Sequence, residues 1–215
     1  SWFFFNMLVI SMMLVLLARN ALVFLVAWEL MTLSSFLLVA FEHGQEETRK
    51  ACWLYIAATH IGTAFLIAFF ILLGKKCGSL DFQDFHQAAT AIDPRLAGVL
   101  FLLALIGFGT KAGLMPMHIW LPEAHPAAPS HVSAVMSGVM IKTGIYGLVR
   151  GLTFIGTPPV WWGWLLIAAG LVSGILGVLF AIAQHDLKRL LAYHSVENIG
   201  IIVMGLGLGL LGQSL

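Results

Sequence analysis

Residues 107–130 read GFGTKAGLMPMHIWLPEAHPAAPS and follow an apolar run that begins at Leu96. Three glycines (Gly107, Gly109, Gly113) and Pro116 interrupt what is otherwise a helical apolar pattern. Pro116 lacks a backbone donor, and its ring clashes with the carbonyl four residues earlier, that of Ala112, next to Lys111. The expected result is a span that loses regular helical bonding between about Gly109 and Pro116. A broken helix inside a membrane is tolerated only where protein or a water cavity satisfies the freed backbone groups. Gly/Pro-interrupted spans are also the best sequence pointer to a transporter's ion site. The competing reading is a plain proline kink with a snorkelling lysine, but Lys111 lies too far from either end of the run to snorkel easily.

The rest of the chain places this stretch in a bilayer. Of 215 residues, 60% are hydrophobic and 10% charged, whereas soluble proteins average about 25% charged. The formal charge of +1 offers no basic patch for nucleic acid. Cys52 and Cys77 are too few for a disulfide framework or a cysteine metal site, and they leave the redox compartment open. A span needs roughly 20 apolar residues. Seven stretches qualify: 2–18, 21–41, 51–73, 96–121, 131–152, 160–184 and from 190 onward. The expected fold is an all-α polytopic transmembrane bundle of about seven spans, one of them broken, forming a single domain over 1–215. Between the third and fourth spans, SLDFQDFHQAA carries Leu80, Phe82 and Phe85 at the spacing of a short interfacial helix. Small residues recur through the sixth span and suit close helix packing. Basic residues in the loops are nearly balanced between the two sides and do not set an orientation. The chain opens on Ser1 and an immediate apolar run and closes in Gly-rich apolar sequence, and is expected to be a piece of a longer polypeptide.

Charges stranded in apolar runs supply the candidate chemistry. A charge at mid-membrane costs about 2.5–3.5 kcal/mol on insertion scales. Glu29 is the ninth residue of its span, about 12 Å below one end. It reads either as a structural ion-pair partner or as a titrating site. Lys142, in SAVMSGVMIKTGIYGLVR, lies near the middle of the span following that of Lys111. Adjacent antiparallel spans bring the two lysines to similar depth, where both cannot stay charged cheaply: a proton on one discourages a proton on the other. Glu29 near Lys111 would hold the lysine charged. His60, His118 and His131 lie in or beside spans; a neutral imidazole both donates and accepts, so each can pass protons or simply bond a carbonyl. His43, His86, His125 and His185 read as solvated loop residues. No pair of histidines has metal-ligand spacing, and a bis-histidine haem has little support. No residue reads as catalytic in the enzymatic sense, and no metal or cofactor is expected on this chain.

Taken together, GTKAGLMPMHIWLPEAHPAAPSHVSAVMSGVMIKTGIYGLVR and HDLKRLLAYHSVENIG resemble the antiporter-like membrane subunits of respiratory complex I, of Mrp-type sodium/proton antiporters and of energy-converting [NiFe] hydrogenases. Many complex I relatives carry two serines and a histidine after the DLKRLLAY run. Here His194 takes the first serine position, and Glu197-Asn198 stand near the histidine's place. AYHSVENIG is similar to the large membrane subunit of hydrogenase-4 and formate hydrogenlyase complexes. The resemblance implies part of an inverted-repeat fold. It implies that Glu29, Lys111 and Lys142 belong to a proton half-channel and a lateral hydrophilic axis, with the loop holding Lys188 on the cytoplasmic side. It further implies a proton-translocating, non-catalytic subunit of an oxidoreductase complex of hydrogenase or NADH dehydrogenase type. Fe–S clusters and a [NiFe] or NADH-linked site would reside in partner subunits, and the chain would sit in a bacterial or archaeal cytoplasmic membrane. The alternatives are an Mrp-type Na+/H+ antiporter subunit, a structural membrane subunit whose charges only pair, and an intramembrane metal enzyme.

Overall fold

Asn20 turns the chain between its first two helices, α1 (Trp2–Leu17) and α2 (Ala21–Val39). Its side chain accepts from Leu22 N at 2.9 Å, supplying one of the donors that a helix start leaves unpaired. The computed structural model describes residues 2–214. Eight further helices follow: α3 (Glu46–Cys77), α4 (Phe82–Ala88), α5 (Pro94–Ala112), α6 (Leu121–Ala127), α7 (Ser130–Val135), α8 (Ile141–Leu152), α9 (Val160–Ile182) and α10 (Leu187–Ser214). A π turn, Met136–Met140, joins α7 to α8. Six helical segments are long and apolar enough to cross a membrane; α1, at 16 residues, is a shorter apolar helix. The chain is thus an integral membrane helical bundle.

Polar residues mark where the spans end. α3 has 32 residues, about 48 Å, against a hydrocarbon core of about 30 Å. Its surplus carries Glu46, Glu47, Arg49 and Lys50 at one end and Lys75 and Lys76 at the other. Cys77 therefore closes a helix and does not lie in a loop. α4 is the expected short helix, with Phe82 and Phe85 turned inward against Phe70 and Phe154. Arg150 lies 4.5 Å over the Phe82 ring. The Asn20 turn is tied to this layer by Asn20 Nδ2 donating to Asp81 Oδ1 at 2.8 Å and by Phe82 N donating to Arg19 O at 2.8 Å. α5 starts on an Asp93 cap with Pro94 in its first turn.

The small residues of the sixth span do form a close packing face. A Cβ at Gly170 would lie 2.6 Å from Gly200 O, and one at Gly207 would lie 2.7 Å from Gly163 O, so α9 and α10 meet nearly backbone to backbone. Of the three tryptophans that open α9, Trp161 and Trp164 face outward, as an interfacial belt requires. Trp162 turns inward and stacks on Phe101 at 4.4 Å.

Candidate functional site: a buried lysine at a helix break

α5 stops at Ala112, and Gly113 takes φ +78°, which a glycine adopts without a Cβ penalty. Leu114 N folds back to Gly109 O at 2.9 Å, a helix-closing bond. Residues 113–120 then run as turns before α6 restarts, so regular bonding lapses slightly later than the glycines suggested. Two protein groups replace the missing ladder. Trp120 Nε1 donates to Thr110 O at 2.8 Å, and Met115 N donates to the buried Ser173 Oγ of α9 at 3.0 Å. The break is therefore satisfied from within the protein.

Lys111 sits in the last turn of α5, where the exposed carbonyls of a helix end favour a cation. It is 2% exposed. Its Nζ donates to Thr32 Oγ1 of α2 at 2.9 Å and to Tyr55 OH of α3 at 3.4 Å. It also lies 5.8 Å from the Trp28 ring and 5.6 Å from the Tyr55 ring, within cation–π range. Tyr55 OH in turn shares a hydrogen bond with Ser35 Oγ at 2.5 Å. Glu29, expected to lie close to Lys111, is not among the groups that touch its ammonium. Glu29 stands three residues before Thr32 on α2, and among the described residues no hydrogen bond or ion pair joins it to Lys111. Its Oε2 lies 3.5 Å from His60 Nε2, while Oε1 is buried without a partner among the described residues. Thr32 supplies the nearer oxygen to Lys111, and His60 holds the carboxylate toward the outer side of α2 and α3.

Lys142 lies at the start of α8, just past the π turn, and donates to the carbonyl of Ser137 within that turn. Ser137 Oγ is 2.7 Å from Ser195 Oγ, so this cluster reaches α10. α8 presses on the last turn of α5: a Cβ at Gly144 would lie 2.8 Å from Ala112 N. Lys111 and Lys142 thus occupy neighbouring levels of two touching helices. Thr143, beside Lys142, points the other way and stands 3.6 Å from Met31 Sδ of α2.

The histidines divide. His60 belongs to the Glu29 cluster, although 51% of its side chain is exposed. His118 lies inside the break with its Nδ1 buried and without a partner among the described residues. His131 is exposed and stacks on Trp2 of α1 at 6.1 Å, apart from both lysines. His125, read from sequence as a wet loop residue, is instead 2% exposed in α6, with Nδ1 2.7 Å from Ser133 Oγ and Nε2 buried without a partner among the described residues. Composition misled there: LPEAHPA has a loop's prolines, yet it folds as about two turns of helix packed under α10. Thr32 and Ser35 were also missed. Their spacing from Trp28, four and seven residues on and so on one helix face, was the available signal.

The fold is an integral membrane helical bundle with one broken span and a buried lysine at the break. The family model described as "NADH:quinone oxidoreductase/Mrp antiporter, TM" matches residues 18–214, and the chain belongs to that family. It is 46% identical to hydrogenase-4 component B of Escherichia coli (strain K12) over 99% of this chain and 32% of that protein. It is 35% identical to formate hydrogenlyase subunit 3 of the same strain over 98% of this chain and 33% of that protein. Among solved structures, the Mrp complex from Dietzia sp. DQ12-45-1b matches with a TM-score of 0.88 and 30% identity, covering 96% of this chain and 23% of that one. The chain spans about a third of the length of these two curated relatives.

Proposed function

We propose that the chain forms one half-channel of a proton-translocating, antiporter-like subunit, in which protons move by way of Glu29, Lys111 and Lys142. The observation that carries this reading is the environment of Lys111. Its ammonium is buried on two neutral hydroxyls and two aromatic faces, with the carboxylate near but not touching. A proton can leave or arrive without breaking a contact ion pair, and Glu29 and Lys142 bias the event from either side. His118 and His125, each with a buried unpartnered ring nitrogen, stand along the chain segment from the break toward α7 and add sites where a proton can pause.

The parent assembly under this proposal is a hydrogenase-type respiratory complex in a bacterial or archaeal cytoplasmic membrane. Redox chemistry on Fe–S clusters and a [NiFe] or NADH-linked site belongs to partner subunits. The likeness to hydrogenase-4 component B and formate hydrogenlyase subunit 3 supports this choice. A second reading, an Mrp-type Na+/H+ antiporter subunit, draws on the fold match to the Mrp complex. Proton uptake into vesicles carrying the full-length protein in its assembly tests both. Lys111→Ala should abolish uptake while a blot shows the complex assembled. Undiminished uptake would sink the relay, and uptake strictly dependent on sodium would favour the second reading.

A further inference from the structure

The run HDLKR (residues 185–189), which opens α10, lies outside the set of groups that touch Lys111, and its charged residues are committed to specific contacts. Asp186 caps α10, its Oδ1 accepting from Arg189 N at 2.8 Å. That cap fixes the first turn, and the first turn directs Lys188 and Arg189 at α6. Lys188 Nζ donates to Ala128 O at 2.8 Å and to Pro126 O at 3.2 Å. Arg189 donates to Glu123 Oε2 at 2.9 Å, farther up the same helix.

α6 needs such support. It has seven residues, far below the length at which a helix persists on its own. Pro122 and Pro126 remove two backbone donors from it, and Pro129 prevents its continuation. Its last carbonyls have no intrahelical partner, and an ammonium at that end satisfies them and complements the helix dipole. The N-terminal end of the same helix is continuous with Trp120, whose indole closes the Thr110 carbonyl beside Lys111. Its middle carries His125. A seven-residue helix is about 10 Å long, so one rigid piece links the loop charges to the break.

We propose that Lys188 and Arg189 are positioning residues: they hold the half-helix α6 by its C-terminal carbonyls and its Glu123 side chain, and through it keep Trp120 on Thr110 and the break around Lys111 in register. The inference deepens the proton-relay reading and rests on it for its functional half. Its structural half stands on α6 alone.

The test uses the full-length protein in its native assembly. In Lys188→Met, amide exchange over residues 121–128 should quicken about tenfold or more, the scale set by losing hydrogen bonds to a charged donor. Exchange in α1 and α2 should not change. Proton uptake should fall by about the same factor, with assembly intact on a blot. Lys188→Arg, which keeps a cation and its donors, should recover most of the loss. Arg189→Glu and Glu123→Arg should each impair uptake, and the two together should restore it, which a merely structural loss would not produce. Unchanged exchange over 121–128 in Lys188→Met, or a reversed pair that stays as impaired as either single change, overturns the proposal. If the unaltered complex takes up no protons, the relay reading fails instead, and the exchange data alone decide whether Lys188 braces α6.

Discussion

Gly144 holds the contact that sets Lys111 and Lys142 at neighbouring levels, and Gly144→Ala measures what that contact is worth. The new methyl would fall 2.8 Å from both Ala112 N and Phe108 O, and 3.0 Å from Ala112 Cβ. Ordinary van der Waals contact begins at 3.4 Å, and two of these neighbours are backbone atoms that cannot rotate away. α8 must therefore retreat from α5 by about 0.6 Å, enough to forfeit part of the dispersion energy along the whole seam. Overpacking of this kind destabilises by about 1–3 kcal/mol. Misplacing a reacting group by 1 Å costs about a hundredfold in rate, so a displacement a little over half that size should slow proton uptake roughly tenfold. The assay pairs the thermal midpoint of the purified complex with proton uptake in vesicles. Gly138→Ala is the control: it lies in the π turn, and nothing stands within 4 Å of its added Cβ. If Gly144→Ala melts and pumps like Gly138→Ala, the α5–α8 contact does not set the spacing of the two lysines, and the relay geometry argued from it fails.

Other expectations follow from single contacts. Ser173→Ala leaves the Met115 N–H buried without an acceptor and should destabilise the protein by about 1–3 kcal/mol, read as a lowered thermal midpoint; an unchanged midpoint would mean that the break has another acceptor. Thr32→Val with Tyr55→Phe strips both hydroxyls from the Lys111 ammonium. Hydrogen bonds to charged groups are worth about 1.5–3 kcal/mol each, so uptake should drop at least tenfold with assembly retained, and full activity would refute a charged Lys111 at that position. Lys142→Arg should impair pumping, because a guanidinium keeps its proton; normal pumping would show that position 142 supplies only fixed charge.

The bundle was readable because each span is written in composition. α2, α3, α9 and α10 begin and end within a few residues of where polar residues interrupt apolar ones, and the phenylalanine spacing of 82 and 85 located α4. The break was readable for the same reason: Gly113 and Pro116 act locally, through φ and a missing donor. What stayed hidden depends on docking. PEAHPAA has no helical signal of its own and becomes α6 only under α10, so the burial of His125 could not be seen. The π turn before Lys142 has no composition cue, yet it presents the Ser137 carbonyl to that lysine. Charge complementarity alone pointed from Lys111 to Glu29, whereas the fold gave the ammonium Thr32 and Tyr55, because neutral side chains announce no partner in a sequence.

At the break itself, Trp120 and Ser173 do what solvent does at most interrupted helices. The Thr110 carbonyl and the Met115 amide are fully occupied whether or not a water molecule is near. Hydration around Lys111 is thereby uncoupled from the integrity of the backbone. Any water that enters beside the lysine, as the proton-relay proposal requires, would leave these two main-chain bonds as they are. Under that proposal, the frame around Lys111 would not fray each time its hydration changed.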